Sequence, residues 1–231
     1  MPVQLHIPHP MTDQRAPVLL VATAALIVLL AYSGLRPFDR PTWALEVSPV
    51  AIALAIMIPT YRRFPLTSLL YFWIFLHSVV LIVGGAYTYA RVPFGFMLAD
   101  WFNIDRNPYD KVGHFFQGFV PALVAREILL RGCFVNGRRM LNFLVLCVVL
   151  AVSATYELIE WAVAEMIGQG ANEFLATQGY AWDTQSDMLM ALIGGALALV
   201  CLSRLHDRQI AAVGRSPHPA DGRYSTISTG V

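Results

Sequence analysis

Residues 109–118 read YDKVGHFFQG, residues 156–161 read YELIEW and residues 182–188 read WDTQSDM. Each stands where polar sequence meets a long apolar run, and the spacing inside each decides how the chain is read. On a helix, residues three and four apart share a face, so Asp110 with His114, Glu157 with Glu160, and Asp183 with Asp187 each form a pair. A carboxylate at the centre of a bilayer costs roughly 2.5 to 3.5 kcal/mol on insertion scales. Six titratable side chains gathered in apolar segments therefore call for a partner, water or an ion.

Composition places those segments in a membrane. The chain has 231 residues, of which 57% are apolar and only 13% charged, and its mean hydropathy is +0.57. A soluble globule of this size needs more polar surface, so the chain is an integral membrane protein whose first partner is the lipid bilayer. With 16 basic and 15 acidic residues the charge is balanced, which gives no reason to expect nucleic acid as a partner. The three cysteines, Cys133, Cys147 and Cys201, are too few and too scattered for a disulfide framework or a zinc knuckle.

Working outward from the motifs, six spans are expected, giving an all-α polytopic bundle over residues 17–205. The spans cover about residues 17–32, 43–59, 66–90, 111–131, 139–165 and 187–204, each closed by charges, glycine or proline. Residues 1–16 read as a loose tail and 206–231 as a disordered one. Residues 91–110 mix aromatic and turn residues, as a segment lying along the membrane surface would.

Positive charge sets the orientation. With the N-terminus inside, the cytoplasmic segments hold Arg15, Arg62, Arg63, Arg131, Arg138, Arg139, Arg204, Arg208, Arg215 and Arg223, which are ten. The opposite side holds Arg36, Arg40, Arg91, Arg106 and Lys111, which are five. Both termini are therefore expected in the cytoplasm. The three acidic motifs then fall together at the outer leaflet.

The combination YDKVGHFFQGFVPALVAREI, YELIEW and TQGYAWDTQSDM resembles the YjdF-like family of bacterial inner-membrane proteins, over roughly residues 15–205. The resemblance implies a multi-pass protein of the inner membrane and supplies no reaction. A looser pattern, D-K-x-x-H on one helix, glutamate on the next and D-x-x-x-x-x-x-G on the last, is similar to the VanZ-like membrane proteins associated with antibiotic resistance. Here it falls on Asp110, Lys111, His114, Glu157 or Glu160, Asp187 and Gly194, with Met190 and Ala191 departing from it.

Each motif also has a plain structural reading. Asp110 could cap the fourth span, and Asp183 and Asp187 the sixth. Glu157 and Glu160 could pair with Arg91, Arg106 or Lys111. The Ala191, Gly194, Gly195 and Ala198 stripe suits close helix packing. Three motifs converging on one leaflet favour a site. A carboxylate and imidazole set suits a hard divalent cation such as Mg²⁺, Mn²⁺ or Zn²⁺, with His114, Glu157, Glu160 and Asp187 as its ligands. Two classes of function follow. One is a pocket, comprising all six motif residues, that binds or moves a cation, a proton or a lipid head group. The other is a metal-dependent or acid/base membrane enzyme acting on a lipid or envelope precursor, although neither a nucleophile with its base nor an H-E-x-x-H signature is present.

Overall fold

The computed structural model describes residues 14–167, 178 and 180–214, which are helical throughout apart from turns and short connections. The helices are α1 (Ala16–Ser33), α2 (Arg40–Thr60), α3 (Ser68–Ala86), α4 (Pro93–Phe102), α5 (Tyr109–Arg131), α6 (Arg138–Ile167) and α7 (Asp183–Gly214). By length and composition, α1, α2, α3, α6 and α7 can each cross a membrane. Helix α5 is the sixth long helix and is more polar, because it is enclosed by the others. Twelve of its residues are buried, among them Asp110, His114, Arg126 and Glu127. A helix that faces protein on most sides has no need of an apolar surface, so the expected bundle of six long helices stands.

Local sequence starts and stops these helices. Asp39 accepts from the Thr42 amide at the start of α2, and Thr67 accepts from Leu70 at the start of α3, each satisfying an orphan donor of the first turn. Pro49 lies inside α2 and withdraws the amide that would bond Leu45, and the neighbouring Ser48 hydroxyl donates to that carbonyl at 2.7 Å instead. The segment expected to lie along the membrane surface contains the ten-residue helix α4, whose Phe94, Phe96, Met97, Trp101 and Phe102 are all exposed. An unburied aromatic face on a short helix suits the interface between headgroups and chains.

Helix α7 is longer than the sequence suggests. It runs to Gly214, so the described residues 206–214 are ordered helix and not part of a tail beginning at 206. The cause is a polar lock at that end of the bundle. The fully buried Glu127 on α5 accepts from the Thr67 amide and hydroxyl, from Arg131, and meets His206 on α7 at 2.9 Å. Next to it Arg126 binds Asp207 at 2.5 Å. Residues 1–13 and 215–231, to which the expected tails otherwise belong, lie outside the described residues.

The core contact is α5 against α7, and glycine makes it. A Cβ at Gly118 would land on the Ala191 carbonyl, and one at Gly194 on the Phe115 carbonyl. The two backbones touch where a side chain would hold them apart, as small-residue interfaces do in lipid. Leu123, Val145, Val149, Ala191 and Ala198 close the core around this contact. Gly118→Ala is expected to cost about 1 to 3 kcal/mol through forced separation of the helices, read as a lower thermal midpoint of the detergent-solubilised protein. Val200→Ala, on an 81% exposed position of α7, should leave the midpoint unchanged.

Candidate functional site

The six titratable residues of the three motifs sit at one end of the bundle. Asp110 and His114 lie in the first turns of α5, Glu157 and Glu160 toward the end of α6, and Asp183 and Asp187 in the first turns of α7. Asp110 is not the cap of α5, since that position is Pro108, with no side-chain cap bond. Its carboxylate turns inward instead and is 8% exposed.

Lys111 organises the α7 side. Its Nζ donates to Asp187 Oδ1 at 2.5 Å and to Asp183 Oδ1 at 2.7 Å, and stands 3.5 Å from Asp110 Oδ2. Arg106 adds a second bond to Asp183 at 2.9 Å. Two of the cations that the sequence offers to the glutamates, Arg106 and Lys111, are thus engaged by the aspartates, and the third, Arg91, lies over the Phe38 ring.

His114 stands between the two groups of acids. Its Nε2 lies 3.5 Å from Asp110 Oδ1 and 3.8 Å from Asp187 Oδ1, while Nδ1 lies 3.7 Å from Glu157 Oε1 and 3.0 Å from Gln117 Oε1. Two sets of donors result, in each of which one atom per residue lies within 4.8 Å of the others: Asp110, His114 and Asp187, and His114, Glu157 and Glu160. The first set already has an ammonium beside it. In the second, Glu157 is buried and hydrogen-bonded to the Thr184 side chain, and its Oε1 has no hydrogen-bond partner among the described residues. A buried carboxylate oxygen left unpaired is costly.

A cavity of about 130 Å³ opens beside this second set, bordered by Glu46, His77, Asp110, His114, Tyr156 and Glu160. Glu46 on α2 is 6% exposed and accepts from the Tyr156 hydroxyl at 2.9 Å. Tyr89, in the turn after α3, packs over Gly84 and Gly113, and burial pushes its phenol well above the ordinary range, with the charge of Glu46 adding to it. Tyr89 therefore remains a neutral O–H group. Glu46, Tyr89, Gln117 and Tyr156 are the members that sequence reasoning missed. The sequence did carry one signal, because Glu46 is the lone charge of its span, and an intramembrane carboxylate invites a functional reading. His77 on α3 also lines the cavity.

Comparison with known proteins now bears on this fold. Residues 18–208 match the family described as "Predicted membrane protein (DUF2238)". The chain belongs to that family. It is 55% identical over 205 residues to the inner membrane protein YjdF of Escherichia coli (strain K12), covering 88% of this chain and 98% of that protein. No solved structure matches the chain. The matched family region spans every helix described above and ends inside α7, so the acid cluster and the polar lock both belong to the shared domain.

Replacing Lys111 by methionine leaves Asp110, Asp183 and Asp187 facing one another with Arg106 as the main remaining cation. Removal of one partner from a buried ion network costs about 3 to 5 kcal/mol. Lys111→Met should accordingly lose most of its folded yield in detergent, and Lys111→Met with Asp187→Asn and Asp183→Asn should regain part of it. Equal yields for the single variant and the parent protein would show that the ammonium does not hold this end together.

Proposed function

We propose that the acidic cavity is a cation-binding site within the membrane, with His114, Glu157 and Glu160 as the ligands of a small hard divalent cation. The observation that carries this reading is the unpaired, buried Glu157 Oε1 in a donor set that has no ammonium or guanidinium of its own. One imidazole and two carboxylates suit Mn²⁺ or Zn²⁺, and three protein ligands leave a coordination position for water or a ligand. Asp110 and Asp187 are held by Lys111 beside His114, where they support the imidazole and keep the field around the site negative. Binding is the better-supported role for these groups. A metal-dependent or acid/base enzyme acting on a lipid or envelope precursor is the second reading, favoured by the Asp110 carboxylate 3.5 Å from His114, which would be the base beside such a site.

In detergent, manganese binding followed by the loss of its free-ion electron paramagnetic resonance signal should saturate at one ion per chain. Glu157→Gln and Glu160→Gln should each weaken it at least tenfold, and His114→Ala more. Retention of full affinity in all three variants would overturn the assignment.

We further propose that both termini face the cytoplasm, on the strength of the arginine bias. That orientation puts the cavity in the outer half of the membrane. Reporter fusions after Arg139 and Gly222 are expected to read as cytoplasmic, and one after Gly170 as external. A cytoplasmic signal from the fusion after Gly170 would reverse the assignment.

A further inference from the structure

The acidic cavity does not end in protein. On the side away from Lys111 it adjoins a cleft of about 530 Å³ between α2, α3 and α5, and the two share Pro49, His77, Leu81 and Pro121 as common wall. That volume lies within the roughly 300 to 1,000 Å³ of ordinary small-molecule sites. The cleft is almost wholly apolar, walled by side chains such as Val50, Ala53, Met57, Ile74, Val120 and Val124. It follows α2 from Pro49 to Thr60, about 16 Å at 1.5 Å per residue. Ile56 and Ile128 line it and are themselves exposed, at 58% and 45%. In a helix bundle surrounded by hydrocarbon, a cleft with such residues at its rim opens to the bilayer and not to water.

We infer that this pair of cavities binds one membrane lipid with an amino head group, its ammonium in the acidic cavity and one hydrocarbon chain in the cleft. Three observations agree on that occupant. The cleft offers a chain-length slot that is apolar but for Thr60, Tyr71, His77 and Ser78. The cavity joined to it presents the carboxylates of Glu46, Asp110 and Glu160 with His114, Tyr156 and Gln117, so it attracts positive charge and opposes an anionic head. At the junction, His77 places a buried Nε2 that has no hydrogen-bond partner among the described residues. That nitrogen stands where an amphiphile changes from polar to apolar, and it can bond an ester or hydroxyl oxygen there.

Pro49 and Pro121 give the junction its openness. Each lies inside its helix and lines both spaces. Proline lacks the amide that would close the preceding turn and its ring pushes against that turn, so both helices are loosened where they face the shared wall. The slot and the cavity therefore meet at one shared wall, at the depth where a head group would have to pass.

The inference deepens the cation-site reading in that it uses the same negative field, but it does not require a metal on Glu157. The full-length protein, reconstituted in vesicles of phosphatidylcholine, would be given photoreactive phosphatidylethanolamine or phosphatidylglycerol carrying the same diazirine-labelled chain, and labelled peptides would be mapped by mass spectrometry. Phosphatidylethanolamine should label the α2 and α5 walls of the cleft at least fivefold more than phosphatidylglycerol. Glu46→Gln should reduce that preference to below twofold. Val124→Trp and, separately, Ala53→Phe fill the slot and should abolish labelling of its walls while manganese binding to the same preparations persists, which also shows that the variants are folded. Equal labelling by the two lipids, or labelling of the cleft walls unchanged in both filled variants, overturns the inference. Loss of manganese binding in Glu157→Gln with lipid preference intact would leave the lipid site standing apart from the metal site, whereas manganese binding without lipid preference would refute the lipid site alone.

Discussion

The ammonium of Lys111, lying 2.5 Å from Asp187, 2.7 Å from Asp183 and 3.5 Å from Asp110, ties the start of α5 to the start of α7. Those two helices pack backbone to backbone at Gly118 and Gly194. The ion network fixes their register at one end, and the Glu127, His206, Arg131 and Thr67 network fixes it at the other. Between the two, lipid offers no hydrophobic drive for association, so close packing and satisfied polar groups carry the helix pairing. The polar residues of α5 are in this sense structural before they are chemical.

The two networks differ in how their buried carboxylates are satisfied. At the Glu127 end, the carboxylate has donors from an amide, a hydroxyl and a guanidinium with an imidazole beside it, which is what a buried charge requires of a structural role. At the Glu157 end, Lys111 and Arg106 are taken up by the aspartates, Glu157 has Thr184 and the His114 imidazole near it, and Glu160 lines the cavity. A stable fold has no use for that second arrangement, since a hydrophobic substitute would cost less. The lock itself leaves His206 Nδ1 and two Arg126 nitrogens without a hydrogen-bond partner among the described residues; what separates the two ends is that the buried Glu127 carboxylate is matched by donors and a guanidinium, whereas the Glu157 carboxylate has no cation but the His114 imidazole near it.

Much of this was legible in the sequence, for reasons that can be named. Apolar runs bounded by arginine and proline gave the helices to within a few residues, because the bilayer fixes their length. The spacing of Asp110 and His114, and of Glu157 and Glu160, gave their shared faces because helical periodicity is local. Partner choice was not legible: whether Lys111 would serve Glu157 or Asp187 depends on the rotation of α6 and α7 about their axes, which no single span encodes. The continuation of α7 to Gly214 escaped notice for a related reason. Residues 206–214 look like a polar tail by composition, and only the distant Glu127 and Arg126 make His206 and Asp207 part of a helix. Glu46 was missed because its partner, Tyr156, lies 110 residues away.

The central claim is that His114 is the shared imidazole of a membrane cation site. X-ray absorption at the zinc edge, on protein loaded with one Zn²⁺ per chain in detergent, reads that first shell directly. The expected spectrum has one imidazole and oxygen donors at about 2.0 to 2.2 Å, with the imidazole scattering lost in His114→Ala. A first shell without imidazole, or one identical in the His114→Ala protein, would contradict the claim.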